Sequence, residues 1–232
     1  MLSPRPAPSR PPGRAQGPSH GSGPRAEAAP VVYVVDDDIS VRESMELMVR
    51  EAGWEPCLLD SAQAFLAQPA PQGPSCLLLD VRLPDLNGLD LQARIAGQRV
   101  DMPIIFITGY GDVPLAARAM KAGAVEVLTK PWDTGVLLQA IADALAASRG
   151  LRDARARTQR VVEAHAGLTR REQDVMTLVV AGALNKQIAA ALGISEITVK
   201  AHRGRVMRKM GARTLPALVK MAELLPPGGG VD

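Results

Sequence analysis

The run VVYVVDDD at residues 31–38 drives five apolar residues straight into three carboxylates, Asp36, Asp37 and Asp38. Three other apolar runs also reach a group that could do chemistry: CLLLD ends on Asp80, IIFIT on Thr108, and VLTKP carries Lys130. In an open α/β sheet, ligands bind beyond the carboxyl ends of the strands. All four ends therefore share one edge if these runs are parallel strands. Neighbouring strands lie about 4.8 Å apart. If the runs ending in Asp36 and Asp80 are adjacent, Asp36, Asp37 and Asp80 line one pocket. Two unit charges ~4 Å apart repel by ~4 kcal/mol at an effective dielectric of ~20, so such a pocket needs a cation. Lys130 supplies one positive charge. Oxygen-only donors suit Mg2+, which binds through one or two carboxylates plus waters and a phosphate. A carboxylate nucleophile, a hydroxyl, a lysine and a divalent metal are the parts of a phosphoryl-transfer site. Asp80 would attack phosphorus, while Thr108 and Lys130 hold the phosphoryl oxygens. Each residue alone has a plainer role, as a helix cap or a solvated strand end. Four such ends at one sheet edge favour the chemistry.

The elements that must position these ends alternate regularly. VVYVV precedes SVRESMELMVREAG, WEPCLL precedes SAQAFLAQ, and SCLLLD precedes GLDLQARIAG. PIIFIT then precedes DVPLAARAMKAG, and VEVLT precedes DTGVLLQAIADALAAS. Five such pairs predict an α/β fold with a parallel sheet covered by helices on both faces. The continuous apolar runs suit strands buried on both sides. Gly53, Gly97 and Gly123 stand where helices should stop, and Pro114 falls in a first helical turn.

Charge divides the chain. Residues 31–148 carry 8 Lys/Arg against 16 Asp/Glu, whereas residues 166–232 carry 10 against 5. An acidic body followed by a basic piece predicts two domains with different partners, the basic one suited to nucleic acid. Residues 1–29 hold seven prolines and four glycines with almost no large apolar residue, and are expected to be a disordered tail. Residues 149–165, RGLRDARARTQRVVEAH, have no clean apolar stripe; this linker either extends the last helix or stays flexible. Cys57 and Cys76 lie in apolar runs and are expected as reduced core residues. The chain lacks the apolar stretch of a secretory signal and any run near the ~18 residues of a membrane span, so a cytoplasmic protein without a membrane segment is expected.

The C-terminal piece has helical signals. Thr169 and Glu172 have capping-box spacing. NKQIAAALG and SEITVKAHRGRVMRKMG are two helices joined by the tight turn LGIS, and TLPALVKMAELL is another. On a helical wheel Val199, His202, Val206 and Met210 form one stripe facing the core, with Lys200, Arg203, Gly204, Arg205 and Arg208 over the rest. His202 reads as a packed core residue rather than a metal ligand. The width of the major groove admits one such helix, and a helix plus tight turn ahead of it favours helix-turn-helix binding.

VVDDD, LLLDVRLPDLNGLDL, IIFITGYGDVPLAARAMKAGA and LTKP resemble the receiver domain of two-component response regulators, most closely the FixJ-like group. The resemblance implies a doubly wound five-stranded, flavodoxin-like sheet in order 2-1-3-4-5, with the receiver over 30–148. It implies that Asp80 is the phosphoacceptor and that Mg2+ is held by Asp37, Asp80 and the main-chain carbonyl of Arg82, with Asp36 acting through water. Thr108 and Lys130 become the switch hydroxyl and phosphoryl-binding lysine, and Lys130–Pro131 a candidate cis peptide. Receivers usually carry an aromatic three residues before the lysine; Val127 stands there. Arg82 and Tyr110 flank the site and are expected to tune hydrolysis. The stretch over 168–225 resembles the LuxR-type helix-turn-helix, placing a DNA-binding domain at 166–232. That likeness makes Glu172 a structural acid and 196–210 the recognition helix. It puts Lys200, Ala201 and Gly204 at base-facing positions, with Arg203, Arg205 and Arg208 on phosphates or bases.

Together these features imply a transcription factor. A sensor histidine kinase phosphorylates Asp80, the chain forms a homodimer, and the dimer binds double-stranded DNA; RNA polymerase is a candidate further partner. Beyond catalysing its own phosphorylation and hydrolysis the chain is expected not to be an enzyme. Two rivals stay open: a DNA-binding regulator indifferent to phosphate, motivated by Val127, and a phosphotransfer enzyme or metal-dependent phosphatase. Arg82 weighs against the latter, because a second acid two residues after Asp80 would be expected there.

Overall fold

The computed structural model describes residues 29–109 and 113–226. Residues 1–28 of the tail expected over 1–29, and the expected role of Tyr110, lie outside them. Strands β1 (Val31–Val35), β2 (Glu55–Leu59), β3 (Ser75–Asp80), β4 (Ile104–Thr108) and β5 (Glu126–Thr129) form one parallel sheet in the order β2-β1-β3-β4-β5. Between and after them run helices α1 (Ile39–Glu51), α2 (Ala62–Leu66), α3 (Gly88–Ile95), α4 (Val113–Lys121) and α5 (Thr134–Ala166).

Strand side chains alternate between two cores. Tyr33, Val35, Leu77, Leu79 and Phe106 face Phe65 of α2, Leu91 and Ile95 of α3 and Ala119 of α4. Val32, Val34, Leu78, Ile105 and Ile107 face Met45 and Val49 of α1 and Leu137 and Ile141 of α5. The two cysteines fall on opposite faces. Cys57 packs beside the first core, and Cys76 is sealed in the second, where burial pushes its thiol up to about 12. Both are free thiols.

Helix ends follow local rules. Asp38, Ser61, Asn87 and Asp133 cap α1, α2, α3 and α5 by accepting main-chain N–H bonds. Gly53 and Gly123, at φ of 82° and 95°, take the left-handed conformation that ends α1 and α4.

Helix α5 runs for 33 residues and includes all of 149–165. The linker is thus helical and continuous with the last helix of the sheet domain. Arg and Ala are its commonest residues, and these favour helix without needing an apolar stripe. Ser148 and Arg152 fix its first part. Ser148 Oγ accepts from Ser75 N at 3.0 Å and donates to the Asp101 carbonyl at 2.6 Å. Arg152 donates to the Asp101 carboxylate at 3.0 Å and the Gln72 carbonyl at 2.7 Å. Val161, near the far end, belongs to a third core.

That core is built by α6 (Arg170–Val180), α7 (Asn185–Leu192), α8 (Glu196–Lys209) and α9 (Leu215–Ala222). Val175, Met176, Val179, Ile188, Val199, Val206, Met210 and Leu218 fill it. The turn between α7 and α8 uses Gly193 at φ 64°, and Ser195 caps α8. No described helix is long and apolar enough to cross a membrane.

Candidate functional site

Strand register brings the carboxylates together. Val35 of β1 lies level with Leu79 of β3, so Asp36, one residue on, is level with Asp80. Thr108 ends β4 opposite Thr129 of β5, and Lys130 follows, its N–H bonded to the Thr108 carbonyl at 2.7 Å. The Lys130–Pro131 peptide is cis. Asp36, Asp80 and Thr108 are 2%, 9% and 2% exposed, while Asp37 is exposed. Carboxylate oxygens of Asp36, Asp37 and Asp80 lie within 4.8 Å of one another. Hard oxygen donors so close together, with Asp37 open to solvent, are a donor set that suits Mg2+.

Lys130 Nζ donates to Asp36 Oδ2 at 2.7 Å and to Asp80 Oδ2 at 2.6 Å. Asp36 Oδ1 accepts from Asp38 N at 2.9 Å, and Asp80 Oδ1 from Arg82 N at 2.9 Å. Burial pushes the Asp36 carboxyl above its ordinary range, opposed by the Lys130 hydrogen bond. Burial alone would lower the Lys130 ammonium. The bonds from Asp36 and Asp80 outweigh it and hold the group above its ordinary value. One lysine thus spans the two buried carboxylates.

Asp38 stands apart. It caps α1, accepting from Ser40 N at 2.8 Å, in keeping with a carboxylate at a helix N-terminus. Val127 lies opposite Phe106 and packs against the first core, so the usual aromatic position is filled by a smaller apolar side chain.

Three supports escaped sequence reasoning. Arg42 donates to the Asp36 carbonyl at 2.6 Å. Asp85, in the loop after β3, accepts from Ala62 N at 3.2 Å and Gln63 N at 2.8 Å, tying that loop to α2. Gly88 opens α3 with no room for a side chain: a Cβ there would stand 2.7 Å from the Asp80 carbonyl oxygen and 3.0 Å from Phe106 Cε1. The sequence signal for the last was the Asn-Gly pair in LPDLNGLDL, which marks a turn but not a close approach.

In the C-terminal domain, Val199, Val206 and Met210 are buried as expected. His202 is half-buried on the same side, its Nδ1 enclosed without a hydrogen-bond partner among the described residues. Lys200, Ala201, Gly204, Arg205 and Arg208 are exposed. Arg203 differs: it is half-buried and donates to Asn185 Oδ1 at 2.6 Å, so in this structure it braces α8 against α7. Glu172 is 3% exposed and completes the capping box with Thr169. It also accepts from Lys209 Nζ at 2.7 Å, joining the start of α6 to the end of α8. That lysine, with the Thr169 N–H, pulls the Glu172 carboxyl down to about 2.

Known proteins share both halves. The response regulator receiver domain family matches residues 32–142, and the luxR family of bacterial regulatory proteins matches 166–222. The chain is 46% identical over 207 residues to Nodulation protein W of Bradyrhizobium diazoefficiens, covering 88% of this chain and 91% of that one. It is 42% identical over 198 residues to the transcriptional regulatory protein FixJ of Rhizobium meliloti, covering 82% and 94%. Among solved structures, the response regulator StyR superposes with a TM-score of 0.76 at 44% identity, covering 84% of this chain and 99% of that one. With matching families, relatives alike over nearly their whole length and the strand order of the sheet, the chain belongs to the two-component response regulators, transcription regulators that join a receiver domain to a LuxR-type DNA-binding domain.

Proposed function

We propose that Asp80 accepts a phosphoryl group from a sensor histidine kinase and that this modification controls a dimer on DNA. The single observation that carries the proposal is Lys130, bonded at once to Asp36 and Asp80 in a pocket of three carboxylates. In-line attack needs one unprotonated oxygen on Asp80. The Arg82 N–H occupies Oδ1 and thereby orients the carboxylate. Lys130 neutralises the charge between Asp80 and Asp36 and lies ready to follow a phosphoryl oxygen. Thr108, buried at the end of β4, supplies a hydroxyl to the same group. Asp36, Asp37, Asp80 and the carbonyl of Arg82 would hold Mg2+, which when bound supplies charge neutralisation for the transferring phosphoryl group. Catalysis is confined to this self-phosphorylation and its hydrolysis, so the chain acts as a regulator and not as a metabolic enzyme.

Dimerisation would use the α4–β5 surface, where Met120 and Val125 are exposed apolar residues. A two-fold dimer presents two α8 helices to half-sites one helical turn apart, and RNA polymerase is the natural further partner. The test is phosphorylation by a small-molecule donor with and without Mg2+. Wild type should gain an acid-labile phosphate only with the metal, and Asp80→Asn should gain none. Wild-type uptake by the Asn variant would overturn the nucleophile assignment. Unchanged dimerisation and operator affinity after phosphorylation would instead favour a regulator indifferent to phosphate.

A further inference from the structure

Ile197 is 80% exposed, the most exposed large apolar side chain among the described residues. It sits in the first turn of α8. Residues four and seven positions on lie on the same face of a helix, so Ile197 shares its face with Ala201 and Gly204, both exposed. Lys200 and Arg205 flank that face and Arg208 closes it at the C-terminal end, all three exposed. The middle of the basic helix is therefore a low, apolar strip with one projecting side chain. Gly204 makes this clearer. It lies inside the helix, where glycine is disfavoured relative to alanine. A Cβ there would meet nothing within 4 Å, so packing within the chain does not require its small size. The backbone there is open to close approach by a partner.

The partner that fits is the major groove of DNA. The basic flank matches phosphates, and the N-terminal residues of a recognition helix are those that reach base edges. Among the four bases only thymine presents an apolar group in that groove, its C5-methyl. We propose that Ile197 reads a thymine methyl in each half-site, and that Ala201 and Gly204 let α8 approach closely enough for the contact. Sequence is read at this position by apolar fit and not by hydrogen bonds. The proposal rests on the DNA-binding role set out above and adds to it the residue and the base group recognised.

The test uses the full chain treated with a small-molecule phosphodonor. Sites are first selected from random DNA. Each thymine of the selected half-site is then replaced by uracil, which lacks only the methyl. For wild type one such replacement should weaken binding about fourfold, the worth of one buried methyl-sized group. Ile197→Ala should bind the thymine site more weakly and be indifferent to uracil at that position, while Gly204→Ala should weaken binding whichever base is present. If no uracil replacement matters to wild type, or if Ile197→Ala keeps the same uracil sensitivity, the proposal is overturned while DNA binding stands. Wild-type affinity of Ile197→Ala would overturn it too, and would leave the exposed strip to a protein partner. If the phosphorylated chain selects no sequence, the DNA-binding role and this inference fall together.

Discussion

Alanine at Gly88 and alanine at Gly204 should change stability in opposite directions, although both replace a helical glycine. At Gly88 the new Cβ would stand 2.7 Å from the Asp80 carbonyl oxygen, 3.0 Å from Phe106 Cε1 and 3.1 Å from Val81 Cα. Two of these are backbone atoms of the segment that carries Asp80, so no rotamer change relieves them. Overpacking of this kind costs roughly 1–3 kcal/mol. With the closest clash on a backbone atom the cost falls in the upper part of that range, about 2–3 kcal/mol; the helix preference of Ala over Gly returns at most about 1 kcal/mol, leaving a net loss of about 1–2 kcal/mol. At Gly204 nothing lies within 4 Å, so the preference acts alone and alanine should stabilise by up to about 1 kcal/mol.

The two domains can be followed separately. Both tryptophans, Trp54 and Trp132, are in the receiver and pack against its second core, so their fluorescence follows that domain alone in urea. With a slope of about 2 kcal/mol per molar urea, the middle of the usual range, Gly88→Ala should lower the fluorescence midpoint by roughly 0.5–1 M. Gly204→Ala should leave fluorescence unchanged and raise the midpoint of the part of the circular-dichroism transition that fluorescence does not follow. Because the crowded atom is the main chain of Asp80, Gly88→Ala should also slow phosphate uptake more than Ile95→Val, a core change of about 0.5–1.5 kcal/mol. An unchanged or raised fluorescence midpoint for Gly88→Ala would refute the close-approach reasoning.

Lys130→Met leaves Asp36 and Asp80 facing each other without their shared cation. The lysine is a quarter exposed, so the loss should be about 1–3 kcal/mol, below that of a fully buried pair. Mg2+ should restore more stability to this variant than to wild type, read as the rise in receiver melting temperature on adding the metal. Lys209→Met removes the main cause of the low Glu172 value. A depressed carboxyl stabilises above its ordinary value and loses that contribution as pH falls towards about 2. The variant should therefore be less stable near neutral pH and lose less on acidification between about 4.5 and 2, as followed by the C-terminal melting transition. Arg208→Ala should weaken binding to all DNA sequences alike and flatten the dependence of log affinity on log salt by about 0.9 for each phosphate that the arginine neutralises; an unchanged slope would remove Arg208 from the interface.

The catalytic edge was legible because parallel strands buried on both faces appear as unbroken apolar runs, and their carboxyl ends are where ligands sit. Asp36, Asp80, Thr108 and Lys130 were each found as the residue at such an end. What the run pattern does not encode is which strands are neighbours; that came from family resemblance. Gly88 was hidden because its constraint comes from the Asp80 carbonyl, eight residues back in the chain. Arg203 reads as one more basic residue of α8, since a wheel places it off the buried stripe but cannot show that Asn185 of α7 lies within reach. Residues 149–165 read ambiguously because a helix that packs on neither core through its middle needs no stripe.

That last feature bears on how the two halves are joined. β3 begins at Ser75 and ends at Asp80. At one end its carboxylate meets Lys130; at the other, the Ser75 N–H meets Ser148 Oγ of α5. The same helix then continues without a break to Ala166, and its Val161 is part of the DNA-binding core. A flexible linker would dissipate a displacement of β3 within a few residues. A continuous helix, anchored by Ser148 and Arg152 beside the receiver and by Val161 in the next domain, would instead carry such a displacement as rotation or translation of a rigid rod. Val127 stands where receivers usually carry a bulky aromatic at β5, and the Ser148 contact ties the strand that ends at Asp80 to the helix that reaches the DNA-binding domain without involving that position.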